Sequence, residues 1–325
     1  MILRCRGSRT GNKEQGIGNK EQGIGNKELK GMARAKHREP LRLKKELRLT
    51  PGYILCITWA VFTFVLIGWT LAASLVSPRE IFGGDVPGSF LTRLRNFDLL
   101  LDNYKLAWGS QNLSGFFINS LIYCTVSLTV IILIAAPASY DLSRFRFRFN
   151  ALIQNMTSIA MGVPAVMIIM PLFSLATALS LTGSRYTLIF LYIGINIPFS
   201  IFFLLPFFRN LPSGLEEAAA IDGCNPVKTF WNIMFPLAQP GIITVTIFNF
   251  ITIWNEFFIS MIFANDAAIR PIAVGLFNMV QGMRYSGHWG AMFASAVIVF
   301  APTFVLFVLL SNKIIASVTG GAIKG

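Results

Sequence analysis

The sequence predicts an all-α membrane protein, a bundle of six transmembrane helices with a helix–turn–helix elbow between the fourth and fifth. Three observations carry this. Of the 325 residues 54% are hydrophobic and only 13% are charged, with a mean hydropathy of +0.60, whereas soluble domains carry about 25% charged residues. The deficit is concentrated in apolar stretches longer than ~18 residues, the length at which a helix rising ~1.5 Å per residue crosses a bilayer. Finally, residues 209–241 break the apolar pattern with a polar segment rich in helix signals.

Residues 1–50 read as a disordered basic tail. GNKEQGI occupies 11–17 and 18–24, and GNKELKG follows at 25–31. Each unit has too few apolar residues for a coiled-coil seam. The exact repetition looks like duplication at the DNA level, and Met32 is the expected true start. No apolar core follows the charges, so the segment is not a secretory signal.

Residues 51–325 form the six-span domain. The spans are expected at about Gly52–Val76, Gly115–Ser139, Leu152–Leu175, Tyr186–Phe208, Gly241–Ala264 and Trp289–Leu310. Prolines 137, 164, 171, 198, 206 and 302 lie in or at the ends of these spans and predict kinked helices. Fourteen of the 28 Lys and Arg precede Gly52. With that end inside, the inner loops and tail hold 21 basic residues against 7 outside, which sets both termini on the cytoplasmic side.

The net charge of +13 does not indicate nucleic acid, because no folded basic domain carries it. Four scattered cysteines and two histidines, His37 and His288, supply neither a disulfide framework nor a metal site. GGDVPGSF at 83–90 lacks the lysine of a phosphate loop. The chain therefore has no ATP site of its own, and no catalytic or cofactor-binding residues are expected.

The elbow, within 209–240, is built from capping signals. Ser213 with Glu216 has the spacing of a capping box. Gly223 supplies a left-handed residue to end the first helix, and Asn225-Pro226 starts a second. There Val227, Phe230, Trp231 and Met234 fall at i, i+3, i+4 and i+7, predicting one apolar face. Either a partner or the protein's own bundle must cover it.

Glu217-Ala218-Ala219, three residues, Gly223, nine residues, Ile233 and then Pro236 resemble the EAA loop of binding-protein-dependent ABC importer permeases. Phe235 stands where that pattern usually has Leu. The resemblance extends along the chain after residue 50. Asp102-Asn103-Tyr104 with Trp108 and Asn119-Ser120, Arg144-Phe145-Arg146-Phe147, Trp254-Asn255-Glu256-Phe257 and the closing Gly321-Ala322-Ile323-Lys324-Gly325 are similar to segments of the carbohydrate-uptake, maltose/glycerol-3-phosphate type.

The resemblance implies a permease subunit of an ATP-driven importer in a bacterial inner membrane, for sugars or related polyols. It also implies that the elbow is a coupling loop docking on a cytoplasmic ATPase. There Glu217 makes a polar contact, Gly223 makes the bend, and Ala218, Ala219, Ile233 and Pro236 complete the motif. Implied partners are a second permease subunit, two ATP-binding subunits and an extracytoplasmic solute-binding protein.

Glu256 is the acid well inside a span. With Asn255 it is either a residue of the translocation path or a hydrogen-bonded packing group. The alternative function is an ion-coupled secondary transporter in which Glu256 titrates.

Overall fold

The computed structural model describes residues 39–93 and 101–322. The repeat at 11–31, Met32, Arg95 and the last three residues of the closing tail lie outside that set. Among the described residues every regular element is helical. The chain divides into two compact units, residues 1–67 and 68–325.

In the first unit the described residues belong to helix α1 (Glu39–Ser74). Its apolar side chains are exposed all round; Leu55, Trp59 and Phe64 are each at least 70% exposed. A helix apolar on every side is stable only where hydrocarbon replaces water around it.

The second unit is built on α2 (Leu113–Arg144) and, further along the chain, α5 (Arg185–Arg209), which pack along much of their length. Ala135, Ala136 and Ser139 are fully buried at the crossing. Small residues allow the backbones to approach, as membrane helices without a hydrophobic drive between them require. The Ser139 hydroxyl donates both to its own helix at Ala135 O (2.6 Å) and across to Ile201 O (3.2 Å). Pro198 and Pro206 lie inside α5 without ending it.

The expected third span is two helices, α3 (Asn150–Met161) and α4 (Ala165–Ala178), bent by 101°. The cause is local. A residue before proline is disfavoured in helical torsions, and here Pro164 is itself extended, with ψ 126°. After the elbow helices α6 (Gly214–Ile221) and α7 (Pro226–Leu237), α8 (Gln239–Trp254) leaves α7 at 75°.

The expected fifth span does not continue to Ala264. α8 ends at Trp254, residues 255–257 form a break, and α9 (Phe258–Phe263) follows. Helices α10 (Ile272–Ser286) and α11 (Trp289–Ala322) complete the chain. Among the described residues four helices are long and apolar enough to cross a bilayer, or up to six spans if each bent pair is one.

Short polar contacts fix the connections. After α1, Asn103 donates from Nδ2 to Ser74 O and Val76 O, both at 2.9 Å, satisfying the last carbonyl of the helix and one in the turn that follows it. From one face of α2, Asn119 donates to Ala268 O and Arg270 O (2.9 and 3.0 Å), and Tyr123 donates to Ile269 O (2.7 Å). The Ser120 hydroxyl accepts from the Ile272 amide (2.8 Å). Three neighbouring side chains thus hold the backbone of the turn before α10.

Candidate functional site: the elbow and the break in the fifth span

The first elbow helix ends as its glycine predicts. Gly223 has φ +76°, its amide donates to Ala220 O (3.1 Å), and the Cys224 amide donates to Ala219 O (2.9 Å). These two bonds are the Schellman pattern that closes a helix through a left-handed residue. The second helix starts as expected too, with Asn225 Oδ1 accepting from the Lys228 amide at 2.8 Å and Pro226 at the first position.

The start of the first helix differs from expectation. Ser213 has helical torsions (φ −65°, ψ −29°) and its side chain makes no cap bond. The amides of Glu216 and Glu217 donate instead to the Ser213 carbonyl. Glu216 is left free to turn inward, where its Oε1 lies 3.3 Å from Nε of Arg144 at the end of α2. Arg144 also donates to Leu211 O.

The apolar face of the second helix is a further correction. Phe230 and Met234 are buried, while Val227 is 66% exposed and Trp231 is exposed as well. Residues 230–234 form a π-turn. Its i→i+5 bonding rotates the following residues away from a 3.6-residue register. Phe230 sits against Tyr140 (5.3 Å between centroids) and Phe208 (6.1 Å). The protein's own bundle therefore covers one half of the expected face.

The elbow is consequently two-sided. Leu215, Glu216, Ala219, Thr229, Phe230 and Met234 turn towards the bundle, Ile233 is half-buried and packs on the core, and Pro236 is exposed. Glu217, Ala218, Ala220 and Ile221 point outward, with Ile221 86% exposed. Adjacent glutamates face opposite ways.

The second candidate lies in the break after α8. Asn255 is exposed, and its Nδ2 donates to Ile251 O (2.8 Å), capping the end of α8. The Glu256 carboxylate accepts four bonds: from the amides of Ile259 (2.7 Å) and Ser260 (3.0 Å), the Ser260 hydroxyl (2.6 Å) and the Tyr192 hydroxyl (3.3 Å). It is an N-terminal cap for α9, and an acid suits that end of a helix.

The flanking aromatics fix the break in place. The buried Trp254 indole donates to Val299 O of α11 (3.0 Å), and Phe257 meets Phe277 at 5.1 Å. A cleft of about 130 Å³ opens beside it, lined by Glu256, Tyr192, Asn196 and Thr252 among apolar groups. From that wall a polar ladder runs down α5. Asn196 Nδ2 donates to Tyr192 O, the Ser200 hydroxyl donates to Asn196 O, and Asn249 Nδ2 of α8 donates to Ser200 Oγ at 2.7 Å.

Sequence reasoning named neither Tyr192 nor this ladder. The signal was present: Tyr192, Asn196 and Ser200 recur at every fourth residue of an apolar helix, which puts them on one stripe.

Residues 127–314, more than half of the chain, match the profile of the binding-protein-dependent transport system inner membrane component family. The diacetylchitobiose uptake system permease protein of Streptomyces coelicolor is 32% identical over 273 residues, covering 84% of this chain and 88% of the relative. The trehalose transport system permease protein of Mycobacterium tuberculosis is 28% identical, covering 82% and 97%. In fold, a solved bacterial ABC transporter involved in the import of the acidic polysaccharide alginate superposes with a TM-score of 0.65 at 19% identity. That match covers 80% of this chain and 95% of the solved one. An ion-coupled transporter titrating at Glu256 finds no support in these relationships. The chain belongs to the binding-protein-dependent transport system inner membrane component family, and is a permease subunit of an ATP-driven importer.

Proposed function

We propose that this subunit moves sugars or related polyols inward across a bacterial inner membrane, and that its elbow docks on a separate ATP-hydrolysing subunit. The observation that carries the docking is the two-sidedness of the elbow. One face is held against the bundle, while Glu217, Ala218, Ala220 and Ile221 leave a small, mostly apolar surface outside it, with Glu217 and the exposed Asp222 as its acids. Ala218 permits close approach, Glu217 supplies a polar contact, and Gly223 sets the angle between the two helices. Ala219, Ile233 and Pro236 shape the elbow from within and below.

In this reading both termini and the elbow are cytoplasmic, following the basic residues. A second permease subunit completes the pathway, two ATP-binding subunits drive it, and an external solute-binding protein delivers the solute. Closure of the ATPase pair shifts the elbow and biases the bundle between two facings, a coupling that must be reciprocal. The solute class follows the similar permeases, whose names specify diacetylchitobiose and trehalose. Asn255 and Glu256 stand at the wall of the path. The Glu256 acceptors are occupied by four protein donors, so the carboxylate shapes that wall by holding the break.

The test is purification of the tagged chain from native membranes with identification of what co-elutes. A second permease and an ATPase are expected, and Glu217→Lys is expected to release the ATPase while the chain stays in the membrane. Retention of the ATPase by that variant would overturn the docking assignment.

A further inference from the structure

Arg144 and Glu216 are the ion pair that, among the described residues, ties the elbow to the transmembrane bundle. The two side chains are only 13% and 25% exposed. Seventy-two positions separate them in sequence, so the contact is wholly tertiary. Arg144 is the last residue of α2 and donates also to Leu211 O, in the segment between α5 and α6. Tyr140, one turn earlier on α2, carries the ring against which Phe230 of the elbow packs at 5.3 Å.

The pair stands in a knot of helix ends. Leu142 O, one of the carbonyls orphaned at the end of α2, accepts from Asn150 Nδ2 and Gln154 Nε2 of α3, both at 3.0 Å. Arg209, the last residue of α5, donates to Gln154 Oε1 at 3.4 Å. A displacement that reaches Arg144 is therefore applied to the ends of three membrane helices together.

We propose that Arg144 and Glu216 are positioning residues for coupled transport: the pair transmits movement of the elbow to the joined ends of α2, α3 and α5. The inference rests on the elbow being the ATPase-docking element. Its physical basis is electrostatic. The aromatic contacts of Phe230 with Tyr140 and Phe208 are worth only about 0.5–1.5 kcal/mol per pair and leave no charge stranded when they shift. A shielded charge pair that separates leaves an uncompensated charge behind, so elbow and α2 move as one. Glu217, next in sequence but facing outward, takes the input; Glu216 passes it on.

The experiment uses the assembled importer in lipid nanodiscs, with hydrogen exchange followed by mass spectrometry before and after addition of MgATP and vanadate. In the unaltered protein, nucleotide is expected to change exchange both in the elbow (214–224) and at the helix ends (140–154 and 205–211). In Glu216→Gln and Arg144→Gln the elbow still responds, while the response at the helix ends falls by about fivefold or more, the low end of known site-to-site couplings. Glu216→Asp, which keeps the charge, restores it.

Equal responses at the helix ends in the Gln variants and the unaltered protein would overturn the proposal. So would loss of assembly in both Gln variants, since a merely structural pair behaves that way. An unaltered elbow that ignores nucleotide would instead refute the docking assignment itself, so the two failures are distinguishable.

Discussion

Gly223 offers a graded test of how the elbow is held. Its φ is +76°, and a Cβ built there meets no atom within 4 Å. Any cost of substitution is therefore torsional, with no packing contribution. Placing an L-residue in the left-handed region costs about 1–2 kcal/mol. The loss of glycine's freedom in the unfolded chain offsets this by about 0.4–1 kcal/mol. Asn tolerates that region best among ordinary residues, and β-branched Val tolerates it worst.

The expected order of elbow stability is thus Gly223, then Asn, then Ala, then Val. The net cost for Ala, about 0–1.6 kcal/mol, corresponds to a change of up to roughly 15-fold in a local equilibrium. The bonds that report it are those from the Gly223 position to Ala220 O and from Cys224 to Ala219 O. Hydrogen exchange at residue 224 is expected to accelerate in that order, and solute moved per ATP hydrolysed is expected to fall in parallel. Protection at Cys224 in Gly223→Val equal to that in Gly223→Asn would refute the torsional argument. Uniform loss of transport with unchanged exchange would show that the open space beside Gly223 is filled by a partner.

Three further outcomes follow from contacts elsewhere in the chain. Gly241→Ala would set a Cβ 2.6–2.9 Å from three ring atoms of Phe207, a ring already stacked on Phe203 at 5.6 Å. Thermal stability in detergent should drop by about 1–3 kcal/mol, and Phe207→Leu in the same chain should recover part of it; no drop would mean the helices slide apart freely. Asn119→Ala leaves the Arg270 carbonyl without its donor at a cost of about 1–3 kcal/mol, while Ala268 O keeps its bond from Arg185 Nη2 at 2.8 Å. Protease cleavage within 264–272 should quicken, whereas Thr129→Ala, whose hydroxyl bonds only Thr125 O on an exposed face, should change nothing.

Glu80 predicts a pH response. Burial raises its pKa, but hydrogen bonds from Ser77 and the nearby Arg93 guanidinium outweigh that, and the net shift is below the ordinary 4.5. The contacts include the Ser77 amide at 2.6 Å and Arg93 Nη2 at 2.9 Å. A lowered acid stabilises the folded segment above its unfolded pKa and loses that contribution as pH falls through the folded value. Protection of residues 77–93 should therefore decline below 4.5 in the unaltered protein, and Glu80→Gln should remove this dependence. The same acid response in both proteins would refute the assignment.

What the sequence determined by itself is local. Apolar runs too long for a soluble helix announce spans, because lipid requires every backbone group to be satisfied within the segment. Gly223 and Asn225-Pro226 mark one helix end and the next start, because torsion and capping depend on neighbouring residues alone. The spacing from Glu217 to Pro236 and the motif around Glu256 are legible for the same reason, as strings of residue types.

What the tertiary structure decided is which way those residues face. Ser213 and Glu216 have capping-box spacing, yet Arg144, 72 positions earlier, draws Glu216 inward and the box does not form. The π-turn at 230–234 splits a face that a 3.6-residue period makes continuous. The fifth span breaks at 255–257 because Glu256 finds the amides of Ile259 and Ser260 and the hydroxyl of Tyr192. In the first case a partner 72 positions away competes with a local rule; in the others a π-turn and an N-terminal cap replace the regular helical register, the cap with help from Tyr192. Local pattern alone carries no information about which partner is in reach.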